Sequence, residues 1–189
     1  MNIIFKKIIM TGSTYIEFDK AVSKGFLLIQ KQVNPNFGLL IICGCNLGLR
    51  ISDLLKLNFK DLKKDEFTIV EQKTGKIRTL QSNHHIKLAL RYFEDSLSYK
   101  RGGKPFVSQK GTTYSIQQVN RLIKKYFSGN RISSHSLRKS FGRRVWEMNN
   151  KTDQALLYLS EIFNHSNTLV TRRYLGIRQE EIKDIYLNL

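Results

Sequence analysis

Residues 34–50 have the sequence NPNFGLLIICGCNLGLR, and this stretch decides how the rest of the chain is arranged. Asn34 followed by Pro35 is typical of a helix N-cap and first helical position, because proline lacks an amide hydrogen that this position would leave unpaired. From Phe37 to Cys45 the predicted helix is apolar on nearly every side, so we expect it to be buried in the core. The run is too short to span a bilayer, which excludes a transmembrane segment here.

Apolar residues recur at helical spacing on both sides of this stretch. Before it, Thr14 and Glu17 have the spacing of a capping box and precede an apolar stripe that predicts a helix. After it, Ser52 is placed to cap a short helix that carries three leucines. Further stripes predict helices at 86–97, 116–127, 137–148 and 156–162, with Ser115 as the cap of the second of these.

One segment departs from the helical period. Apolar residues at 67–70 and 77–80 flank the sequence Lys73-Thr-Gly-Lys76, which predicts two strands joined by a glycine-containing turn. The fold class is therefore predicted to be α+β, mainly helical, with one small antiparallel sheet. We expect residues 1–12 to form a short N-terminal arm, residues 13–177 to form the domain, and residues 178–189 to form a C-terminal helix.

The chain is strongly basic, and its charge indicates the kind of partner. Its 189 residues include 32 Lys and Arg against 15 Asp and Glu, which gives a net charge of +17. With 41% apolar residues the chain can build a core, so a disordered basic tail is excluded. Nucleic acid is the first candidate partner and an anionic membrane surface the second.

The two cysteines indicate a reducing compartment. Cys43 and Cys45 are too close in sequence for an ordinary structural disulfide and too few for a zinc site. The first residues contain no long apolar stretch and no small-residue cleavage site, so we expect no secretory signal. These observations predict a cytoplasmic protein without a cysteine-bound zinc site.

A few polar residues stand out as candidates for chemistry. His135 and Arg138 share a helix face at the i, i+3 spacing, so they form either two donors for one anion or a surface pair on a basic helix. His165 lies between two predicted helices, and Tyr174 follows nine residues later, where it also fits a half-buried aromatic residue. Arg50 lies between two apolar residues and must extend to water or bind an anion.

The order of these features resembles the catalytic domain of the tyrosine recombinases, or phage integrases. The resemblance runs from about residue 14 to residue 177. It rests on the order of five motifs: the sequence around Arg50, Lys-Thr-Gly at 73–75, His-x-x-Arg at 135–138, His-Ser at 165–166 and Tyr174. Residues 134–142 and 161–177 are especially similar to integrase-like recombinases of bacterial mobile elements. The resemblance implies site-specific DNA recombination or integration on double-stranded DNA, and the alternative is a recombinase-like DNA-binding protein that no longer cuts.

The resemblance also implies a role for each candidate residue. Tyr174 matches the nucleophile that attacks a scissile DNA phosphate and forms a 3′-phosphotyrosine link. Two arginines, Arg50 and Arg138, match those that bind the non-bridging oxygens. Arg172 and Arg173 are expected to help Tyr174 lose its proton, because nearby cations favour a phenolate.

The remaining roles concern proton transfer and the hairpin. Lys73 matches the lysine that protonates the departing 5′-oxygen, although Lys76 lies on the same turn and stays open as the alternative. His135 matches the general acid/base, and His165 matches the histidine that hydrogen-bonds the phosphate. The resemblance implies no cofactor, no metal and no ATP.

Two departures from the family pattern concern recognition and loop length. Most members carry a helical N-terminal domain that closes a clamp around DNA, whereas almost nothing precedes residue 14 here, which puts independent site recognition in doubt. The interval from Arg138 to His165 is longer than usual, and we interpret residues 149–153 as a loop insertion. The apolar stripe of 182–189 either folds back on its own domain or packs into a neighbouring protomer on DNA, and we expect the latter.

Overall fold

The apolar stretch forms a buried helix in the computed structural model of the chain, which describes residues 12–129 and 131–188. The elements that follow one another are α1 (Phe18–Gln30), α2 (Pro35–Leu47), α3 (Ile51–Leu54), α4 (Phe59–Leu62), β1 (Glu66–Val70), β2 (Ile77–Gln81), α5 (His84–Arg91), α6 (Leu97–Lys100), α7 (Ile116–Tyr126), α8 (Ser134–Met148), α9 (Asp153–Phe163), α10 (Thr168–Leu175) and α11 (Ile177–Leu187). The predicted mainly helical α+β fold with a small antiparallel sheet is confirmed.

Helix α2 is the centre of the larger core. Its residues from Phe37 to Cys45 are all buried, as their nearly uniform apolar character requires. It packs against α1, α5 and α8, so three helices cover its sides. Gly48 ends it in the left-handed conformation, at φ +59°, and a Cβ there would lie 2.4 Å from the ring of Phe141. Glycine is therefore required at this position for both its conformation and its lack of volume.

Helices α1 and α2 cross with their backbones in contact. A Cβ built on Gly38 would lie 2.5 Å from the carbonyl oxygen of Gly25, and one built on Gly25 would lie 2.9 Å from that of Gly38. Distances below 3.0 Å are not found for real Cβ atoms. The two glycines thus set the distance between the first two helices.

A second, smaller core lies between α8, α9 and α10. It consists of Trp146, Leu156, Leu159, Phe163, Leu175 and Ile177 with Ala155. Helix α8 belongs to both cores, because Leu137 near its start packs in the larger one and Trp146 near its end packs in the smaller. Arg138 follows Leu137 in α8 and contacts Phe163 at the end of α9, so the predicted site residues meet where the two cores adjoin.

The sheet is a single hairpin. Strands β1 and β2 pair antiparallel, with Phe67 opposite Leu80 on the face that packs into the core. Val70 and Ile77 pair on the other face and are 61% and 75% exposed. Residues 71–76 connect the strands, and this turn includes the exposed Lys73.

Three predicted helix boundaries are wrong, each for a local reason. Helix α1 is capped by Glu17, whose carboxylate accepts from two backbone amides, while Thr14 pairs with the backbone of Arg131 instead of capping. Arg50, and not Ser52, is the N-cap of α3. The predicted 86–97 helix ends at Arg91, because the next backbone hydrogen bonds are of the tighter i→i−3 type. Leu97 begins the separate helix α6 and is 61% exposed, so it does not continue the buried stripe.

Residues 1–11 of the predicted arm lie outside the described residues. Residues 149–152 form the turn between α8 and α9, where the sequence predicts an inserted loop. No helix within 12–129 or 131–188 has the length and apolar character needed to cross a membrane.

The close crossing of α1 and α2 predicts the effect of adding one methyl group. Gly38→Ala places a Cβ against the Gly25 carbonyl, so the helices must separate and the free energy of unfolding should fall by about 1–3 kcal/mol. Chemical denaturation measures this loss. Ser23→Ala is the matched control on the exposed side of α1, where the change should stay within about 0.5 kcal/mol. Equal stability of the two variants would show that the helices do not touch at these glycines.

Candidate active site

Two arginines from distant parts of the chain donate to one carbonyl oxygen. Arg50 Nη2 lies 3.3 Å and Arg138 Nη2 lies 3.1 Å from the carbonyl oxygen of Phe163, at the C-terminal end of α9. The Arg138 guanidinium also stacks on the Phe163 ring, 4.4 Å from its centroid. The last carbonyls of a helix have no partner within the helix, so they are natural acceptors for cations.

Carbonyl oxygens at the C-terminal end of α2 also accept hydrogen bonds from arginines. Arg138 Nη1 donates to the carbonyl of Gly48 at 2.8 Å, and Arg78 Nη2 donates to that of Leu47 at 3.1 Å. Arg138 is only 4% exposed. Burial lowers the pKa of Arg138 to about 10. The nearby Tyr174 acts against this shift, and the positive charges of Arg50 and Arg78 add to it. Arg138 is therefore charged at neutral pH.

A buried carboxylate that the sequence analysis missed joins the cluster. Glu71 is 3% exposed and lies 3.0 Å from Arg50 and 3.5 Å from Arg78. Burial disfavours its charged form, but the hydrogen bond from Thr74 and the charges of both arginines outweigh burial, so its pKa lies below the usual value. In the sequence, Glu71 is recognisable only as an acidic residue two positions before Lys73, and nothing there shows that it contacts Arg50.

The same carboxylate organises the turn that carries the lysines. Thr74 Oγ1 donates to Glu71 at 2.9 Å, and the Gly75 amide donates to the Glu71 carbonyl at 2.8 Å. Lys73 is exposed on this turn, and its charge contributes to the low pKa of His165. Lys76 Nζ instead donates to Asn164 Oδ1 at 2.7 Å. Both lysines are thus near the site, but Lys76 is engaged.

His165 lies beside Tyr174 in the smaller core. Its ring centroid is 5.2 Å from that of Tyr174 and 5.4 Å from that of Phe163. Its Nδ1 lies 2.9 Å from Thr171 Oγ1. Burial first, and then the positive charges of Arg138, Arg50 and Lys73, lower its pKa to about 4. The imidazole is therefore neutral at physiological pH.

Tyr174 is on α10 with its hydroxyl turned inward. The hydroxyl oxygen is buried and has no hydrogen-bond partner of standard geometry among the described residues. Burial raises its pKa, while the charges of Arg138 and Arg50 act in the opposite direction. The prediction for its neighbours in sequence is wrong, because Arg172 pairs with Glu181 at 3.0 Å and with Asp153 at 3.5 Å, and Arg173 is exposed.

His135 lies one turn before Arg138 and is exposed at the start of α8. Desolvation by the surrounding protein lowers its pKa, and the charges of Lys139, Arg138 and Arg50 lower it further. The structure thus brings Arg50, Arg138, His165 and Tyr174 into one cluster, with His135 and Lys73 at its border. Their individual chemical roles stay predictions.

The arrangement suits an anion that carries several oxygens. Two guanidinium groups offer forked donors, and a neutral histidine and a tyrosine lie against them. Within the described residues, no three His, Cys, Asp or Glu side chains are grouped so as to hold a metal ion. The arrangement therefore supports phosphate binding next to a tyrosine hydroxyl.

Comparisons with known proteins agree with this geometry. Residues 38–181 match the model of the phage integrase family. The chain is 30% identical over 153 residues to the probable integrase/recombinase YoeC of Bacillus subtilis, covering 78% of this chain and 81% of YoeC. It is 27% identical to tyrosine recombinase XerC of Caldanaerobacter subterraneus, covering 74% of this chain but only 40% of that protein.

Solved structures share the fold. The XerA recombinase superposes with a TM-score of 0.62 at 18% identity, over 94% of this chain and 65% of XerA. The Tn1549 transposon integrase, solved with a circular intermediate DNA, gives a TM-score of 0.64 at 18% identity, over 91% of this chain and 66% of the integrase chain. At these identities the likeness shows the fold.

The buried carboxylate provides a test of the cluster by stability. Glu71→Gln leaves two poorly exposed arginines without their counter-charge, which should cost about 3–5 kcal/mol of unfolding free energy at neutral pH. Because the pKa is lower in the folded state, this stabilisation is present above the ordinary carboxyl pKa and is lost as pH falls through the folded-state value. Denaturation curves of both proteins should therefore converge in acid.

Glu66→Gln is the matched control, because Glu66 is an exposed carboxylate on the same hairpin. Its removal should change the unfolding free energy by less than about 0.5 kcal/mol at any pH. If Glu71→Gln behaves like this control, Glu71 does not balance the arginines.

Proposed function

The chain belongs to the phage integrase family, and on that premise we propose that it is a tyrosine recombinase that breaks and rejoins double-stranded DNA at specific sites. The observation that carries the proposal is the convergence of Arg50 and Arg138 on one point beside the Tyr174 hydroxyl. The reaction is site-specific recombination or integration through a 3′-phosphotyrosine intermediate.

The scissile phosphate binds beside the point where the guanidinium groups of Arg50 and Arg138 meet the Phe163 carbonyl. Arg50 and Arg138 then donate to its non-bridging oxygens, on which negative charge grows as Tyr174 attacks. Donors fixed in place before the reaction stabilise such charge by about 3–4 kcal/mol each. Each guanidinium has five N–H donors, so the hydrogens that are not bonded to the Phe163 carbonyl can bind the phosphate while that carbonyl keeps both groups in place.

Proton transfers complete the cleavage. Lys73 protonates the departing 5′-oxygen, and its exposed position on the turn supports this choice, since Lys76 is hydrogen-bonded to Asn164. His135 serves as a general acid/base, and His165 interacts with the phosphate. Because the phosphotyrosine bond keeps the phosphodiester energy, rejoining needs no ATP, and the mechanism uses no metal or other cofactor.

DNA is the proposed partner on the basis of charge as well as family. A net charge of +17 favours phosphate contacts along a duplex. Relatives were solved on DNA, among them the XerH recombinase on its palindromic difH substrate, at a TM-score of 0.62 and 21% identity. Similarity to the Tn1549 integrase supports a mobile element as the setting. We place the protein in the cytoplasm, in keeping with its two free, buried cysteines.

Helix α11 supports assembly of several protomers on DNA. Its start is fixed in its own domain, because Ile177 is fully buried and Glu180 lies 2.7 Å from Arg143. Its far end is different: Ile185 is 62% and Tyr186 is 76% exposed. We propose that this exposed apolar end packs against a neighbouring protomer. Leu189, which completes the predicted stripe, lies outside the described residues.

A nicked suicide duplex tests the nucleophile. The protein should become attached to a duplex that carries its site, and Tyr174→Phe should abolish attachment, as seen on a denaturing gel. Because the Tyr174 hydroxyl has no hydrogen-bond partner of standard geometry among the described residues and only a looser contact with Arg138, its removal should spare both folding and DNA binding. Binding of DNA without any adduct in the unaltered protein would favour the non-cutting alternative.

The control variant is Tyr186→Phe, which removes a hydroxyl from the other C-terminal tyrosine. Tyr186 is exposed near the end of α11, so this variant should form the adduct at the normal rate. Adduct formation that survives Tyr174→Phe and fails in Tyr186→Phe would reassign the nucleophile to Tyr186.

The exposed end of α11 predicts a separation of assembly from stability. The double variant Ile185→Ser, Tyr186→Ser should unfold at the normal temperature, since both side chains are exposed, but should assemble poorly on DNA with paired sites. Sedimentation of the protein on one-site and two-site DNA measures assembly. Lys183→Ser, Asp184→Ser is the control on the same helix and should assemble normally. A lowered unfolding temperature in the first variant alone would mean that the helix end packs in its own domain.

A further inference from the structure

A chain of hydroxyl groups runs from His165 to the backbone of α9. His165 Nδ1 lies 2.9 Å from Thr171 Oγ1, which lies 2.9 Å from Ser160 Oγ. Ser160 Oγ in turn donates to the carbonyl oxygen of Leu156, one turn earlier in α9, at 2.7 Å. Thr171 is fully buried and Ser160 is 5% exposed, so both hydroxyls are shielded from bulk water.

The carbonyl at the end of this chain sets the direction of each hydrogen bond. A carbonyl only accepts, so the hydrogen of Ser160 is used on Leu156. The Ser160 oxygen then accepts from Thr171, and the Thr171 oxygen accepts from His165. The opposite direction would leave the Ser160 and Leu156 oxygens 2.7 Å apart with no hydrogen between them. Nδ1 therefore carries the imidazole hydrogen, and Nε2 keeps a lone pair.

We propose that Thr171 and Ser160 are positioning residues that hold His165 as its neutral Nδ1–H tautomer, so that Nε2 is a proton acceptor in the site. The sequence gives no sign of this connection, because Ser160 and Thr171 belong to different helices. The surroundings of the ring also favour the neutral form. Burial is the largest effect that opposes a second proton, and the positive charges of Arg138, Arg50 and Lys73 oppose it further. The tautomer of a histidine is commonly set by the partner of its other nitrogen.

The use of this acceptor rests on the proposed DNA cleavage. The proton-bearing group beside His165 is the Tyr174 hydroxyl, which has no hydrogen-bond partner of standard geometry among the described residues. As the Tyr174 oxygen forms its bond to phosphorus, the O–H bond breaks and the proton passes to Nε2, so this step uses His165 as the acceptor in place of the exposed His135. The negative charge of the bound phosphate offsets the three cations that otherwise oppose a second proton on the ring. The bond from phosphorus to the 5′-oxygen breaks, and that oxygen keeps the electron pair and takes a proton from Lys73. The resulting imidazolium can then donate to the bound phosphate.

Nitrogen NMR of the full chain tests the tautomer without DNA. Four histidines are present, so ¹⁵N-histidine labelling gives few signals, and His165→Asn identifies those of His165. At neutral pH we expect Nδ1 to be protonated and Nε2 to be bare in the unaltered protein and in Thr171→Ser, which keeps the hydroxyl. Thr171→Val and Ser160→Ala should move the population toward the Nε2–H tautomer.

Ser160→Ala is the decisive variant, because it removes the hydroxyl that reaches the His165 ring through Thr171 and keeps the backbone bond from the His165 amide to the Ser160 carbonyl. Without the Ser160 hydroxyl, Thr171 is free to donate to Nδ1, which reverses the last bond of the chain. An Nε2–H tautomer in the unaltered protein would overturn the proposal. So would an unchanged tautomer in both Ser160→Ala and Thr171→Val, once their thermal transitions show that they are folded.

Adduct formation on the suicide duplex tests the acceptor role separately. At saturating protein, its rate should fall in Thr171→Val and Ser160→Ala in proportion to the lost Nδ1–H fraction, while DNA affinity stays the same. Thr171→Ser should retain the normal rate. A shifted tautomer with an unchanged cleavage rate would refute the acceptor role of Nε2. Absence of any adduct in the unaltered protein would refute the proposed function instead, and the spectra would still decide the tautomer.

Discussion

The hydrogen bonds from Arg50 and Arg138 to the Phe163 carbonyl join the two cores of the molecule at the site. Arg50 begins α3, Arg138 is in the first turns of α8, and Phe163 ends α9, so three distant segments are joined at one oxygen. The interaction depends on helix ends, because only there are carbonyls free of partners within their own helix. Helices α2 and α9 both end in left-handed caps, at Gly48 and Asn164, beside these guanidinium groups.

A cluster of buried cations is unfavourable unless each charge has a partner. The carbonyls of Leu47, Gly48 and Phe163 provide dipoles, and Glu71 provides a buried negative charge that contacts both Arg50 and Arg78. This network keeps the arginines ordered before any phosphate arrives. A bound phosphate then meets donors that are already oriented, which is how a fixed site lowers the cost of stabilising charge during a reaction.

The smaller core connects the site to the C-terminal helix. Tyr174 and Leu175 are adjacent on α10, so the packing of Leu175 and Ile177 fixes the backbone that carries the Tyr174 hydroxyl. Helix α11 follows directly after Gly176 and is tied to α8 through Glu180 and Arg143. The end of α11 that we propose packs against a neighbouring protomer is therefore continuous, through Ile177 and Leu175, with the helix that carries Tyr174.

The sequence alone determined the helical framework and the identities of the candidate site residues. The uniform apolar character of 37–45 was enough to predict a buried α2, and the spacing of charged and apolar residues gave the hairpin and most helices. The sequence did not predict the partners of Thr14, Ser52 and Arg172 correctly. A helix cap or an ion pair depends on which residues become neighbours in the folded chain. Tertiary structure alone decided that Glu71 faces Arg50 and that Ser160 reaches His165 through Thr171. The periodicity of apolar residues shows which face of a helix avoids water. A hydrogen bond between distant residues requires donor and acceptor to be placed to within a few tenths of an ångström, and only packing fixes their positions that closely.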